Sequence, residues 1–185
     1  MCNVPVNIKL PIEAREHLEK YWVLARRFYQ EGDSPLAAFF AITLIEEVGK
    51  VIIMGNRELS GSLDKQGFFS HEKKYAYAVG MTLVVNARVT RLYGTQEKVF
   101  AGWFREGDLF RIRNSALYLD LERDTPVAPR KAVRPTDALL LVCIAGEVYA
   151  EIQGIYTGTG PDEWARVINE IDDFRTLHAE DFGSA

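Results

Sequence analysis

The chain has 185 residues, 48% of them apolar and 26% charged, with a net charge of −4. This is the composition of an ordinary globular domain with enough length for a substantial core, and it argues against a disordered, collagenous or disulfide-stapled protein. Two cysteines, Cys2 and Cys143, do not make a disulfide framework, and three histidines do not make a multi-histidine metal site, so no metal or other cofactor is expected.

The first predicted helix runs from about Pro11 to Glu31, where Ala14, Leu18, Tyr21, Trp22, Ala25, Phe28 and Tyr29 keep helical spacing. Pro11 suits its first turn and Gly32 its stop. The second is expected to start at Ser34 as N-cap, with Pro35 behind it, and to end near Gly55. Between Leu36 and Met54 only five of 19 residues are not apolar, and four of those five fall in the pentapeptide Glu46–Glu47–Val48–Gly49–Lys50. A helix this apolar is the central element of a bundle. Charges in its middle are costly to bury and therefore mark either an internal ion pair or a working site.

The stretch Arg57–Gly67 reads as a loop. A third helix is predicted from Ser70, its N-cap, to about Leu92, with Tyr75, Ala78, Val79, Leu83, Asn86 and Val89 partly periodic. Short helices follow over Glu97–Arg105 and Asp108–Leu121, with Asp108 as N-cap of the latter. Glu122–Arg134, containing Pro126 and Pro129, is expected to be an irregular connection with a short extended piece. Thr136 is expected to cap a strongly apolar helix to about Tyr156. Pro161 opens a last helix with Trp164, Val167, Ile168, Ile171 and Phe174 on one face. The predicted architecture is all-α: a single domain over 1–185, with a core of about 11–157 and a C-terminal helix of about 161–178. It is expected to be a bundle of about five to six helices with one long irregular loop.

No signal peptide is visible, and three central charges argue against membrane insertion of the apolar helix, so a cytoplasmic location is expected. Residues 161–185 carry seven acids and two bases, while Arg111, Arg113, Arg123, Arg130, Lys131 and Arg134 form a basic region. That region reads as a solvated surface or a nucleic-acid footprint.

Three clusters are candidates for chemistry. Glu46 and Lys50 are four apart with the acid on the N-terminal side, the favourable order for an ion pair. Gly49 beside them either admits another helix closely or opens room for a ligand, and Glu47 lies about 100° around the helix from Glu46. His71 and Lys74, at i and i+3 near a helix start, are a surface pair or an anion site. In the run Arg111–Asp120, Arg113 and Asp120 would share a helix face, with Tyr118 to one side; a structural ion-pair network is the alternative.

These clusters, in this order, resemble the AbiV-type abortive-infection proteins of the HEPN superfamily, over roughly Ser34 to Glu151. The resemblance implies a helical bundle that typically dimerises, and a role in prokaryotic defence against phage or in toxin–antitoxin systems. It also implies metal-independent RNA cleavage, from a motif of Arg, a polar residue, about three more residues and His. Arg113 and Asn114 match its opening; at the position of the histidine stands Tyr118. Cleavage needs a base for the ribose 2′-OH, an acid for the leaving group and a cation near the developing charge. Arg113 suits the last, while an unperturbed tyrosine, with a pKa of about 10, is a poor base at neutral pH.

The leading expectation is therefore a defence-associated HEPN endoribonuclease acting on RNA as a homodimer. Glu46, Glu47, Lys50, His71, Lys74, Arg113, Asn114, Tyr118 and Asp120 would then gather in one cleft. Arg113 and Lys74 would hold phosphate, His71 or Tyr118 would move the proton, and Glu46 or Glu47 would orient a base or cation. The alternative is a non-catalytic HEPN module binding a protein partner such as an antitoxin or phage protein, a nucleic acid or a nucleotide. A structural helical adaptor is a third reading.

Overall fold

In the computed structural model, residues 11–82, 87–122, 125–156 and 161–182 are described, and their order is α1 (Ile12–Gln30), α2 (Ser34–Ser60), α3 (Lys65–Phe69), α4 (His71–Thr82), α5 (Ala87–Tyr93), α6 (Thr95–Arg105), α7 (Asp108–Ser115), β1 (Asp120–Glu122), β2 (Thr125–Val127), α8 (Pro129–Ala132), α9 (Pro135–Tyr156), α10 (Pro161–Leu177) and α11 (Ala179–Phe182). The chain is an all-α bundle with one small hairpin in its long connection.

Two apolar helices, α2 and α9, pack against each other at the centre. Ala38, Ala41, Ile42, Ile45, Val48 and Ile52 of the first, and Leu139, Val142, Cys143, Ala145 and Ile152 of the second, are fully enclosed. Each large aliphatic side chain buried there contributes about 1.5–3 kcal/mol relative to exposure. The amphipathic helices cover this pair. α1 buries Leu18, Trp22, Ala25 and Tyr29, spaced four, three and four apart. α10 buries Val167, Ile168, Ile171 and Phe174 against α9. Gly146 of α9 lies where the Trp22 ring and Ile171 press in: a Cβ there would stand 2.6 Å from one and 2.8 Å from the other.

Several boundaries differ from the sequence expectation. Asp33, not Ser34, caps α2: its carboxylate accepts from the Leu36 amide at 3.1 Å. Gly32 ends the turn after α1 with φ +78°, a conformation natural to glycine. The second helix does not end near Gly55 but continues to Ser60, and Gly61 follows in the left-handed region. The expected Arg57–Gly67 loop therefore shrinks, and the short α3 occupies part of it. Ser70 does precede α4 and accepts from the Lys73 amide. The predicted third helix appears as α4 and α5; Leu83 and Asn86 lie outside the described residues.

Gly107, not Asp108, precedes α7, and α7 stops at Ser115 instead of reaching Leu121. Likewise α9 begins at Pro135, so Thr136 is inside it rather than its cap. The extended piece of the long connection is an antiparallel pair, with Asp120 opposite Val127 and Glu122 opposite Thr125. No helix among the described residues is long and apolar enough to cross a membrane.

Candidate functional site around Glu46

The carboxylate of Glu46 is 4% exposed and sits on α2 where α4 and α7 converge. Its two oxygens are used differently. Lys74 Nζ donates to Oε1 at 2.7 Å, and His71 Nδ1 lies 2.8 Å from Oε2. The i, i+3 spacing on α4 thus delivers both side chains to one acid, instead of leaving a surface pair. Arg113 approaches from α7, its Nε 4.0 Å from Glu46 Oε2 and 3.4 Å from the Thr43 hydroxyl. The guanidinium also lies over the Phe39 ring, 5.2 Å from its centre.

Burial pushes the Glu46 carboxyl upward, but the hydrogen bonds from Lys74 and His71 outweigh it, and the net shift is downward. Glu46 is therefore ionised and can only accept. A ring nitrogen facing it at 2.8 Å must carry the proton, so His71 is held with Nδ1 protonated. When the ring is neutral, Nε2 is then its basic nitrogen. The imidazole is half-buried and leans on the Phe110 ring, 4.8 Å away centre to centre.

Gly49 resolves its two readings in favour of close approach. A Cβ there would stand 2.1 Å from the Lys74 carbonyl oxygen, so α4 crosses α2 directly on this glycine. Without it Lys74 and His71 would not reach Glu46. The expected Glu46–Lys50 ion pair is present at 3.9 Å, and Lys50 lies closer still to Glu47, which it hydrogen-bonds. Glu47 is half-buried and also faces His17 at 3.8 Å. Tyr21 adjoins this group; burial first and the Glu47 charge second raise its hydroxyl above the ordinary phenol value. Tyr75 is raised further, by burial and then by Glu46.

The cluster thus joins Glu46, Glu47, Lys50, His71, Lys74 and Arg113. Three permanent cations meet two carboxylates, which leaves a positive excess before His71 is counted. The remaining predicted residues sit elsewhere. Asn114 and Tyr118 line a shallow surface groove with Phe110, Arg111 and Leu119, and Tyr118 is 65% exposed. Phe110, touching His71 on one side and this groove on the other, connects the two. Because α7 ends at Ser115, Asp120 does not share a helix face with Arg113; its backbone opens β1 and its side chain lies outside the described residues.

Sequence reasoning missed Thr43, Phe39 and Phe110 as supports. Thr43 was visible as the other polar residue of the apolar run, three positions before Glu46 and so on its face. It also missed a second buried acid. Glu147 of α9 is fully enclosed, accepts from Arg88 Nε at 3.1 and 3.2 Å and from the Tyr93 hydroxyl at 3.0 Å, and shares Arg88 with Asp172. Its signal was the same as that of Glu46, a carboxylate in the middle of a strongly apolar helical run.

The protein is thus an α-helical bundle whose central helix carries a buried acid, served by His71 and Lys74 from one neighbour and by Arg113 from another. Residues 8–150 match the AbiV family of HEPN proteins, and the chain belongs to that family, a HEPN family of the abortive-infection type. Comparison with curated proteins and with solved structures gave no match.

Proposed function

We propose that the protein is an anti-phage defence factor that cleaves RNA without a metal ion, with the Glu46 cluster as its active site. The observation that carries this reading is the His71–Glu46 contact at 2.8 Å, with Arg113 beside the same carboxylate. A buried ionised acid that fixes the tautomer of a half-exposed imidazole is how a general base is oriented.

In this reading His71 Nε2 takes the proton of the ribose 2′-OH, which attacks the adjacent phosphate. Arg113 and Lys50, both partly exposed, carry the charge that develops on the phosphate oxygens. Lys74 takes a role different from the phosphate binding expected of it. It is 4% exposed and bonded to Glu46, so it keeps that acid ionised instead of meeting substrate. Tyr118, in the open groove, offers a ring for an unpaired base. A homodimer, as the family resemblance implies, would bring a second His71 as the acid for the leaving 5′-oxygen.

The test is incubation of purified protein with RNA in the presence of EDTA. Cleavage leaving 2′,3′-cyclic phosphate ends, and none of a substrate with 2′-deoxy sugar at the cut site, supports the reading. Dependence on added metal, or cleavage of the deoxy substrate, refutes it.

A second reading is favoured by the placement of Tyr118. The residue standing at the motif histidine is 65% exposed and lines the surface groove rather than the Glu46 cluster. A non-catalytic module would use the groove to bind a protein, nucleic acid or nucleotide, with the Glu46 network only structural. It predicts RNA or partner binding that survives His71→Ala, with no cleavage by any form.

A further inference from the structure

Glu46 and Glu47 are consecutive on α2, and each carboxylate faces an imidazole from a different neighbouring helix. Glu46 holds His71 of α4, while Glu47 Oε2 stands 3.8 Å from Nε2 of His17 on α1. Successive residues lie about 100° apart around a helix, so the two pairs approach α2 from different sides. Lys50 joins them: its ammonium hydrogen-bonds Glu47 and stands 3.9 Å from Glu46. Cleavage as described above employs Lys50 and His71 and leaves the Glu47–His17 pair without a role.

The placement of α1 brings that pair to the same site. The His17 and Tyr21 rings meet edge to face, 4.7 Å apart centre to centre. After burial, the charges of Glu47, Lys50, Arg113 and Glu46 all act on the Tyr21 hydroxyl. One turn beyond His17, α1 therefore stands within electrostatic range of both acids and both phosphate-binding cations. The His17 side chain is 49% exposed. At 3.8 Å its Nε2 faces Glu47 but is too far for a hydrogen bond, so that nitrogen is left to donate to a third atom.

Cleavage at a ribose 2′-OH needs two proton transfers, one from the attacking oxygen and one to the leaving oxygen. Displacement at phosphorus proceeds in line, so base and acid stand on opposite sides of the phosphate. Imidazole carries a proton near neutral pH and releases it, whereas an ammonium or guanidinium gives one up far less readily.

We propose that His17 is the acid of this site, a role that rests on the RNA-cleavage reading above. His71 Nε2 takes the 2′-OH proton, the 2′-oxygen bonds to phosphorus, the bond from phosphorus to the 5′-oxygen breaks, and His17 Nε2 gives its proton to that oxygen. The products are a 2′,3′-cyclic phosphate and a 5′-hydroxyl, and water exchanges the protons that return both rings to their starting state. Glu47 is the positioning residue for His17, as Glu46 is for His71. Both proton-transfer groups then belong to one chain, and His17 takes the place of the second His71 that a homodimer would bring.

Single-turnover cleavage in EDTA tests this with two forms of one RNA oligonucleotide, the second carrying sulfur in place of the 5′-oxygen at the cut. A thiolate leaves without protonation, so the sulfur form does not need the acid. His17→Ala should slow cleavage of the oxygen form by at least about 100-fold and of the sulfur form by less than about threefold, while His71→Ala should slow both. The rate of wild type should fall at both ends of the pH range, and His17→Ala should keep the acid limb and lose the alkaline one. An equimolar mixture of His17→Ala and His71→Ala chains, co-expressed, should recover no activity. Should His17→Ala not fold, His17→Gln should show the same split between the two substrates. Cleavage of the oxygen form undiminished in the His17 variant overturns the proposal and leaves the RNA-cleavage reading standing. Equal losses on the two substrates overturn it as well, since they mark a structural effect, and so does recovery of activity by the mixture. No cleavage of either form by wild type overturns both.

Discussion

Replacing Gly49 by alanine is expected to destabilise the protein although alanine is the better helix former. The new Cβ would stand 2.1 Å from the Lys74 carbonyl oxygen, 2.6 Å from its carbon and 2.9 Å from its Cα. All three are backbone atoms, so no side chain can rotate away. Ordinary contact begins near ~3.5 Å, so α4 must retreat by about 1.4 Å at Lys74. Overpacking of this kind costs about 1–3 kcal/mol. The same retreat stretches the 2.7 Å Lys74–Glu46 bond beyond hydrogen-bonding range, a further loss of about 1.5–3 kcal/mol for a charged contact. Against these stands a gain of about 1 kcal/mol in helix propensity. The net is a loss of roughly 1.5–5 kcal/mol, or about 3–20 °C in Tm for a chain of this size. Gly102→Ala in α6, where nothing lies within 4 Å of the new Cβ, is the control and should stabilise by up to about 1 kcal/mol. Thermal unfolding of both variants measures the difference. A Tm for Gly49→Ala at or above wild type would show that the α2–α4 crossing does not depend on this glycine.

Other perturbations separate charge from shape. Glu46→Ala leaves buried Lys74 unpaired and should cost about 3–5 kcal/mol in denaturant unfolding, whereas Lys74→Met together with Glu46→Leu should recover much of that loss. The two buried acids also predict opposite pH behaviour. The folded-state value of Glu46 is lowered, so its contribution is present above the ordinary carboxylate range and lost as pH falls through the lowered value. That of Glu147 is raised by burial, which outweighs Arg88 and Tyr93, so its contribution is present at low pH and lost as pH rises through the raised value. In a series of Tm measurements against pH, Glu46→Gln should flatten the acid-side loss, and Glu147→Gln should flatten the decline on the other side of the carboxylate range. Identical profiles for the two variants would contradict the assignment.

The bundle was legible where burial follows a simple period. The stripes of α1 and α10, and the apolar runs of α2 and α9, each name their own buried face. It was less legible at the ends of elements, where competing local signals are nearly equal in energy. Asp33 and Ser34 are both good caps, and only the hydrogen bond to Leu36 distinguishes them. Leu117 and Leu119 extended the apolar pattern of α7, yet both are exposed beyond its end, so a helix inferred from their periodicity ran too far. In the site, the unusual charges on α2 were readable because burial makes unpaired charge improbable. Which cation met which acid was not readable, because that depends on the crossing at Gly49, a long-range contact. Lys50 therefore pairs with both acids but hydrogen-bonds Glu47, while Lys74 and His71 hold Glu46 most closely.

The central claim, that Glu46 holds His71 as the base of an RNA-cleaving site, is tested most directly by single-turnover cleavage rates in EDTA. Wild type, His71→Ala, Arg113→Ala and Tyr118→Phe should be compared, each shown to be folded by its thermal unfolding. The account predicts losses of at least about 100-fold for the first two substitutions, in line with removal of a general base or a charge-stabilising donor, and little change for Tyr118→Phe. Undiminished cleavage by His71→Ala, or loss confined to Tyr118→Phe, would contradict it.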